Sequence, residues 1–350
     1  MTINEVDIEY PLQDIDWDNL SFTVTPTRSM WLMECEGDHI WDEGHLEPFR
    51  TLRLSPAAGV LNYGQGVFEG LKAYRTVRDR IVLFRPERNA ERFETSATRL
   101  CIPPIPRDKF VEGVEAVVRD NADFVPPSGK GSLYIRPILW GSGPVLGVKP
   151  APWFSFLIYV SPVGPYFKGG LRCLNLKVMH EFHRAAPHGT GSVKAIGNYA
   201  ASLYPLMQAK KEGYDEVIYL NAANEDLVEE VGAANLFAVH GNKIITPRLG
   251  GSILPGVTRD SVLTIARELL GLETEERDVT LEEVIAADEV FCSGTAAVVM
   301  PIGQITDGGK TVTFCEEKIG PITRELYDTL TGIQKEKRED TFGWLWPVEM

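Results

Sequence analysis

The sequence predicts an α/β (α+β) chain of two mixed domains: residues 1–163, smaller and sheet-rich with helices to one side, and residues 175–350, larger and more evenly mixed. Three observations predict this. Apolar runs rich in aromatic and β-branched residues crowd the first part. Amphipathic stretches alternate with short apolar runs in the second. Between them "SPVGPYFKGGLR" carries two prolines and three glycines, the composition of an interdomain loop at 164–174.

In the first domain the strands are "RSMWLMEC", "RIVLFR", "SLYIRPILW" and "WFSFLIYVSP". Pro86 opens the helix "PERNAERFETSATRL", because proline lacks an N–H that the first turn leaves unpaired anyway. A second helix spans "RDKFVEGVEAVVRDNADF". In the second domain "NYAASLYPLMQAKKEGY" is a helix stopped at Gly213, and "DEVIYL" is the strand after it. "NLFAVHG" and "KIITP" make a hairpin, followed by the helix "GVTRDSVLTIARELLG", the short helix "TLEEVIAAD" and the strand "EVFCSG". The helix "IGPITRELYDTLTGIQ" leads into an irregular tail, "EDTFGWLWPVEM", which carries no readable motif.

A net charge of -14 disfavours nucleic acid and anionic membrane as partners. No apolar run reaches the ~20 residues of a membrane span. The five cysteines are odd in number and form no CxxC pair, and the acidic N-terminus lacks the regions of a signal peptide. These features predict a cytoplasmic chain. "HEFH" (180–183) lacks the HExxH spacing, so no metal site is expected.

Three glycine-rich stretches compete for a phosphate. "GQGVFEG" (64–70) is one residue too long for a dinucleotide fingerprint and follows a poor strand, so it is a turn cluster. "HGTGSVK" (188–194) is not a Walker loop, because Val193 precedes Lys194 and no Ser or Thr follows it. "ILPGVTRDSVL" leads directly into a helix, so the N–H groups of Gly256, Val257 and Thr258 and the helix dipole make an anion site. A phosphate home there frees Lys194 for covalent work. A lysine nucleophile must lose its proton or be held as a Schiff base. Pyridoxal phosphate uses such a lysine, with an anion cradle, an acid for the ring nitrogen and a partner for the ring hydroxyl. The candidates are residues 256–258, Glu229 or Glu230, and Tyr199.

From about Leu54 onward the motifs "LSPAAGVLNYGQGVFEGLKAYR", "LFRPERNAERF", "GSLYIRPILWGSGPVLGV", "SPVGPYF", "EFHRAAPHGTGSVKAIGNYAASL", "LVEEVGAANLFAV", "ILPGVTRDSV" and "DEVFCSGTAAVVMPIG" occur in this order. Together they resemble the branched-chain amino-acid aminotransferases of the fold-type-IV pyridoxal-phosphate class, in the larger plant-like subgroup. The resemblance implies the two-domain, D-amino-acid aminotransferase-like architecture. It implies Lys194 as the lysine bonded to pyridoxal 5'-phosphate and carrying the proton at substrate Cα, and Tyr199 as partner of the ring hydroxyl. Of the acidic pair it selects Glu230 for the ring nitrogen. Arg92, Val257, Thr258 and Thr295 match phosphate ligands.

The backbone of Thr295 and Ala296 resembles the turn that receives the substrate α-carboxylate. Tyr134 and Arg136 match the carboxylate side, and Phe68, Tyr63 and Tyr166 an aromatic wall for the aliphatic side chain. An apolar pocket separates leucine from valine by only ~1–3 kcal/mol per methylene, so shared use of leucine, isoleucine and valine follows. The implied partners are these amino acids, their 2-oxo acids and glutamate, in a ping-pong reaction of a homodimer. Two departures stand out. Ala297 and Met300 replace the redox CxxC of some animal members, and Ile196 stands where many members have glycine. The rivals are a D-amino-acid or (R)-amine transaminase, a lyase on this scaffold, and a non-enzymatic phosphate-ligand binder in which Lys194 is only electrostatic.

Overall fold

A computed structural model describes residues 15–37, 40–166 and 171–350. The chain divides into two units, Met1–Gly164 with Gln334–Met350, and Pro165–Ile333. In the first unit the described strands are β1 (Ser29–Glu36), β2 (Ile40–Trp41), β3 (His45–Pro48), β4 (Gly66–Phe68), β5 (Leu71–Arg75), β6 (Ile81–Phe84), β7 (Ser132–Gly141) and β8 (Trp153–Val163). Their order is β6-β5-β7-β8-β1-β2, all antiparallel, with β3 on β1 and β4 on β7. The helices are α1 (Gly59–Tyr63), α2 (Pro86–Arg99) and α3 (Arg107–Asp120).

The amphipathic faces of α2 and α3 meet the sheet through Phe93 and Phe110. Both rings pack on Phe156 of β8, at 5.4 and 6.1 Å between centroids. The second helix ends four residues before the sequence expectation of Phe124. Asn121 stops it by returning its side-chain amide to Val117 O at 2.8 Å and to Ser29 O at 3.1 Å, which ties the helix end to β1. "GQGVFEG", expected as a turn cluster, is a turn only at Gly64, whose φ of 62° closes α1. Gly66–Phe68 is a strand, because β7 supplies its partners.

In the second unit β9 (Leu174–Met179) is followed by α4 (Ile196–Lys211), β10 (Glu216–Asn221), β11 (Asn224–Val231), β12 (Ala234–His240) and β13 (Lys243–Pro247). Then come α5 (Val257–Glu268), β14 (Glu273–Arg277), α6 (Leu281–Ile285), β15 (Glu289–Gly294), β16 (Val298–Asp307) and β17 (Lys310–Thr313). The order β11-β10-β9-β16-β15-β12 closes on itself, because β11 also pairs with β12. Its apolar filling includes Leu176, Ile218, Val228, Val231, Leu236 and Met300.

One irregularity in that ring matters. Leu220 pairs with Val228 and Ile218 with Val231, so Glu229 and Glu230 together oppose Tyr219 alone. This is a β-bulge, and it places two consecutive glutamates where a regular strand has one.

The helix α7 (Pro321–Gln334) leads to β18 (Leu345–Pro347), which pairs antiparallel with β6. The expected second domain of 175–350 therefore gives up its last residues: Gln334–Met350 group with the first unit. The tail looked irregular because its strand is only three residues long. It is held by main-chain bonds from Arg85 N to Trp344 O (2.9 Å) and from Val348 N to Ile81 O (2.9 Å), and by the Arg85 guanidinium 4.8 Å above the Trp344 ring. The two units are of similar length rather than small and large. Of the expected loop at 164–174, residues 167–170 lie outside the described residues.

Candidate active site

Lys194 lies in the turn before α4, two residues ahead of its first residue. Its Nζ is 2.9 Å from Tyr199 Oη and 5.1 Å from the centre of that ring. Five residues across a turn and a helix start bring the pair together, and Asn198 holds the turn. Its side chain donates to Thr190 O (2.7 Å) and Val193 O (3.0 Å) and accepts from Thr190 Oγ1 (2.6 Å). The glycines of "HGTGSVK" serve packing. A Cβ on Gly191 would fall 2.1 Å from Ser252 O and 2.5 Å from the Ala185 methyl, so only glycine lets the two loops meet.

Glu230 is 2% exposed. Its carboxylate accepts from Asn235 Nδ2 (3.0 Å) and Leu254 N (3.3 Å) and is ion-paired with Arg184. Burial pushes its carboxyl up to about 7, and Glu229 adds to the rise, while Arg184, the Leu254 N–H and Lys194 pull it down. Asn235 also donates to Leu254 O at 3.0 Å, and its Oδ1 lies 2.2 Å from where a Cβ on Gly256 would stand. One asparagine thus joins the carboxylate to the start of α5. There the first helical N–H groups, from Val257 onward, have no intrahelical partner, and Thr258 is buried.

Thr295 and Ala296 form the half-buried turn between β15 and β16. Val298, which closes it, has a φ of 63°. A β-branched residue there is a genuine outlier, and it pairs in register with Gly294. Ser293, paired in register with Asn235, buries a hydroxyl that has no partner among the described residues. Tyr166 is 43% exposed.

The remaining expected residues belong to the first unit. Tyr134 and Arg136 alternate on one face of β7. The guanidinium donates to Tyr134 Oη at 3.0 Å and lies 4.7 Å above the Phe68 ring. Gly70 leaves room for that phenol, since a Cβ would approach it to 2.2 Å. Arg92 is buried, although a lone arginine on a charged helix reads as exposed. It forms a bidentate pair with Glu69 at 2.7 and 2.9 Å, and Asn89 donates to the same carboxylate at 2.8 Å. Tyr63 is 42% exposed and donates to Leu146 O.

Sequence reasoning missed Arg184, Asn235, Ser252 and Lys72. Arg184 and Asn235 stand inside quoted motifs, but nothing about a single arginine or asparagine announces a buried partner. Lys72, on β5, is held down to about 7 by burial and by Lys335. Among the described residues no cluster of His, Cys, Asp and Glu has a metal-binding arrangement.

Residues 66–305 match the family described as Amino-transferase class IV. A chloroplastic branched-chain amino acid aminotransferase 2 of Humulus lupulus is 51% identical over 95% of this chain and 81% of its own length. A mitochondrial branched-chain amino acid aminotransferase 1 of the same plant is 47% identical over 96% and 85%. Among solved structures, a branched-chain amino acid aminotransferase of Thermobaculum terrenum in its PLP-bound holo form superposes with a TM-score of 0.76 and 27% identity, over 93% of this chain and 99% of that one. The chloroplastic and mitochondrial compartments of these relatives contradict the cytoplasmic expectation. That expectation rested on a missing apolar signal, and organelle-targeting segments are amphipathic rather than apolar.

Proposed function

The chain belongs to the class IV aminotransferases, in the branched-chain amino-acid aminotransferase family, and from that premise we propose that it exchanges the amino group of leucine, isoleucine or valine with 2-oxoglutarate, using pyridoxal 5'-phosphate. The observation that carries this reading is the Lys194–Tyr199 pair at 2.9 Å, in the unit that also buries Glu230 and opens α5 with N–H groups that have no intrahelical partner.

The donor set suits the cofactor. An amine sits against a phenol, a buried carboxylate gains from a cationic partner, and a twelve-residue helix begins beside it. The buried Ser293 hydroxyl offers one further polar contact. When bound, pyridoxal phosphate supplies an electron sink that takes up and returns the amino group.

The protein's own residues then have distinct tasks. Lys194 Nζ carries the proton to and from substrate Cα, and the Tyr199 hydroxyl beside it holds the ring oxygen. Glu230, ionised, keeps a proton on the ring nitrogen. The first turn of α5 and Thr295 would hold phosphate oxygens, and the resemblance assigns Arg92 the same task. Thr295 and Ala296 would receive the α-carboxylate, and the resemblance assigns Arg136 with Tyr134 to a second carboxylate and Phe68, Tyr63 and Tyr166 to the aliphatic side chain. The reaction is ping-pong, and the homodimer implied by the resemblance is part of the same proposal.

A single half-reaction tests it. L-Leucine added without a keto acid should remove the visible cofactor band and yield pyridoxamine 5'-phosphate. A colourless protein, or a response only to D-alanine or an (R)-amine, overturns the reading.

A further inference from the structure

The second glutamate of the bulge has no task in this reaction, yet it is as buried as the first. Glu229 is 1% exposed. Its Oε1 accepts from Asn221 Nδ2 at 2.8 Å and from Ser252 Oγ, while its Oε2 has no partner among the described residues. A buried carboxylate left half satisfied costs stability, so its retention in the core calls for a reason.

Ser252 supplies one. Its hydroxyl is committed to Glu229, and its carbonyl accepts from Arg184 Nη2. Arg184 donates from the same nitrogen to Gly191 O at 3.2 Å and forms the ion pair with Glu230. Arg184 Nε has no partner among the described residues, and the guanidinium's contacts with Ser252, Gly191 and Glu230 all run through Nη2. Gly191, pressed against Ser252 O, joins the Lys194 turn to the same junction. The chain of contacts runs Asn221, Glu229, Ser252, Arg184, Glu230, and every side chain but Asn221 is at least nine-tenths buried.

We propose that Glu229 and Ser252 are positioning residues: together they fix the Ser252 carbonyl that aims Arg184 at Glu230, and so set how firmly Glu230 holds the cofactor's ring nitrogen. The inference rests on the cofactor role given to Glu230 above. It makes Glu229 act through geometry, not through its charge alone. Its charge by itself raises the proton affinity of Glu230, which works against an ionised partner for the ring nitrogen.

The test uses the cofactor-loaded protein and reads two quantities: the pH midpoint of its visible band, and the dissociation constant of pyridoxal 5'-phosphate. Ser252→Ala and Glu229→Ala are each expected to displace the midpoint by about half a pH unit and weaken cofactor binding about 5-fold, the scale of one loosened charge-assisted contact. Glu229→Gln still accepts from Ser252 and Asn221 and should stay near the unsubstituted protein. If Glu229→Gln shifts the midpoint as far as Glu229→Ala while Ser252→Ala does not, charge alone is at work and the proposal falls. Unmoved midpoints in all three variants overturn it equally. Should Glu229→Ala fail to fold by circular dichroism, Ser252→Ala and Glu229→Gln decide between the same outcomes. An unsubstituted protein that binds no coloured cofactor would instead sink the functional reading itself.

Discussion

Tyr134 and Arg136 sit two residues apart in the regular middle of β7, and their shared face follows from strand alternation. Glu229 and Glu230 are adjacent in sequence and share a bulge. Lys194 lies in a turn, Thr295 and Ala296 in another, and Val257 begins a helix. On β7 the first unit therefore sets these polar side chains by register, and the second sets its own by interruptions of register. Regular backbone suits groups that only bind, because neighbouring strands fix them to the pleat. A bulge or a turn brings side chains from several directions onto one small volume, which proton transfer requires.

Burial also shifts titration in opposite directions at particular groups of the two units. Lys72 in the first is pushed down to about 7, and Glu216 and Glu230 in the second are pushed up to about 7.

The sharpest way to break this comparison is to remove Lys194. Lys194→Ala is expected to lower kcat by about 10⁴-fold while the protein still binds the cofactor, measured by turnover of leucine with 2-oxoglutarate. If any first-unit substitution matched that loss in kcat, the division between binding and proton transfer would fail.

The next effect is on stability, and its sign differs between the units. Glu216 is raised from 4.5 to about 7 mainly by burial, so the folded state binds the extra proton and stability falls as pH rises through that window. In urea unfolding, Glu216→Gln should match the unsubstituted protein below pH 4.5 and exceed it by roughly 2–3 kcal/mol above 7. Lys72 is lowered from 10.5 to about 7, so there the unfolded state binds the extra proton and stability rises with pH between those values. Lys72→Met should therefore gain most below pH 7, with its advantage fading toward 10.5. Parallel slopes for the two variants would contradict the assignment.

The smallest effect belongs to the binding face. Arg136→Gln should raise KM for 2-oxoglutarate about 10-fold and that for leucine much less, with kcat little changed. Equal losses for both substrates would remove the second-carboxylate role.

How much of this was legible in the sequence varied with the physics of each residue. Lys194 and Tyr199 are close in sequence, so five residues and a helix start sufficed. The choice between Glu229 and Glu230 was not legible from local pattern, because a bulge is defined against the partner strand β10 and not by the bulged residues. The burial of Arg92 was equally hidden: "PERNAERF" is charged on several sides, and the Glu69 that neutralises the arginine comes from another element. The tail was unreadable for the same reason, since its strand exists only through β6.

That tail also fixes an order of events in time. The first unit combines Met1–Gly164 with Gln334–Met350, whereas Pro165–Ile333 is contiguous. On a ribosome the contiguous unit can emerge and close its ring of strands while the sheet begun earlier still lacks the strand that covers β6. Until Leu345–Pro347 has been made, β6 is an apolar edge open to wrong partners.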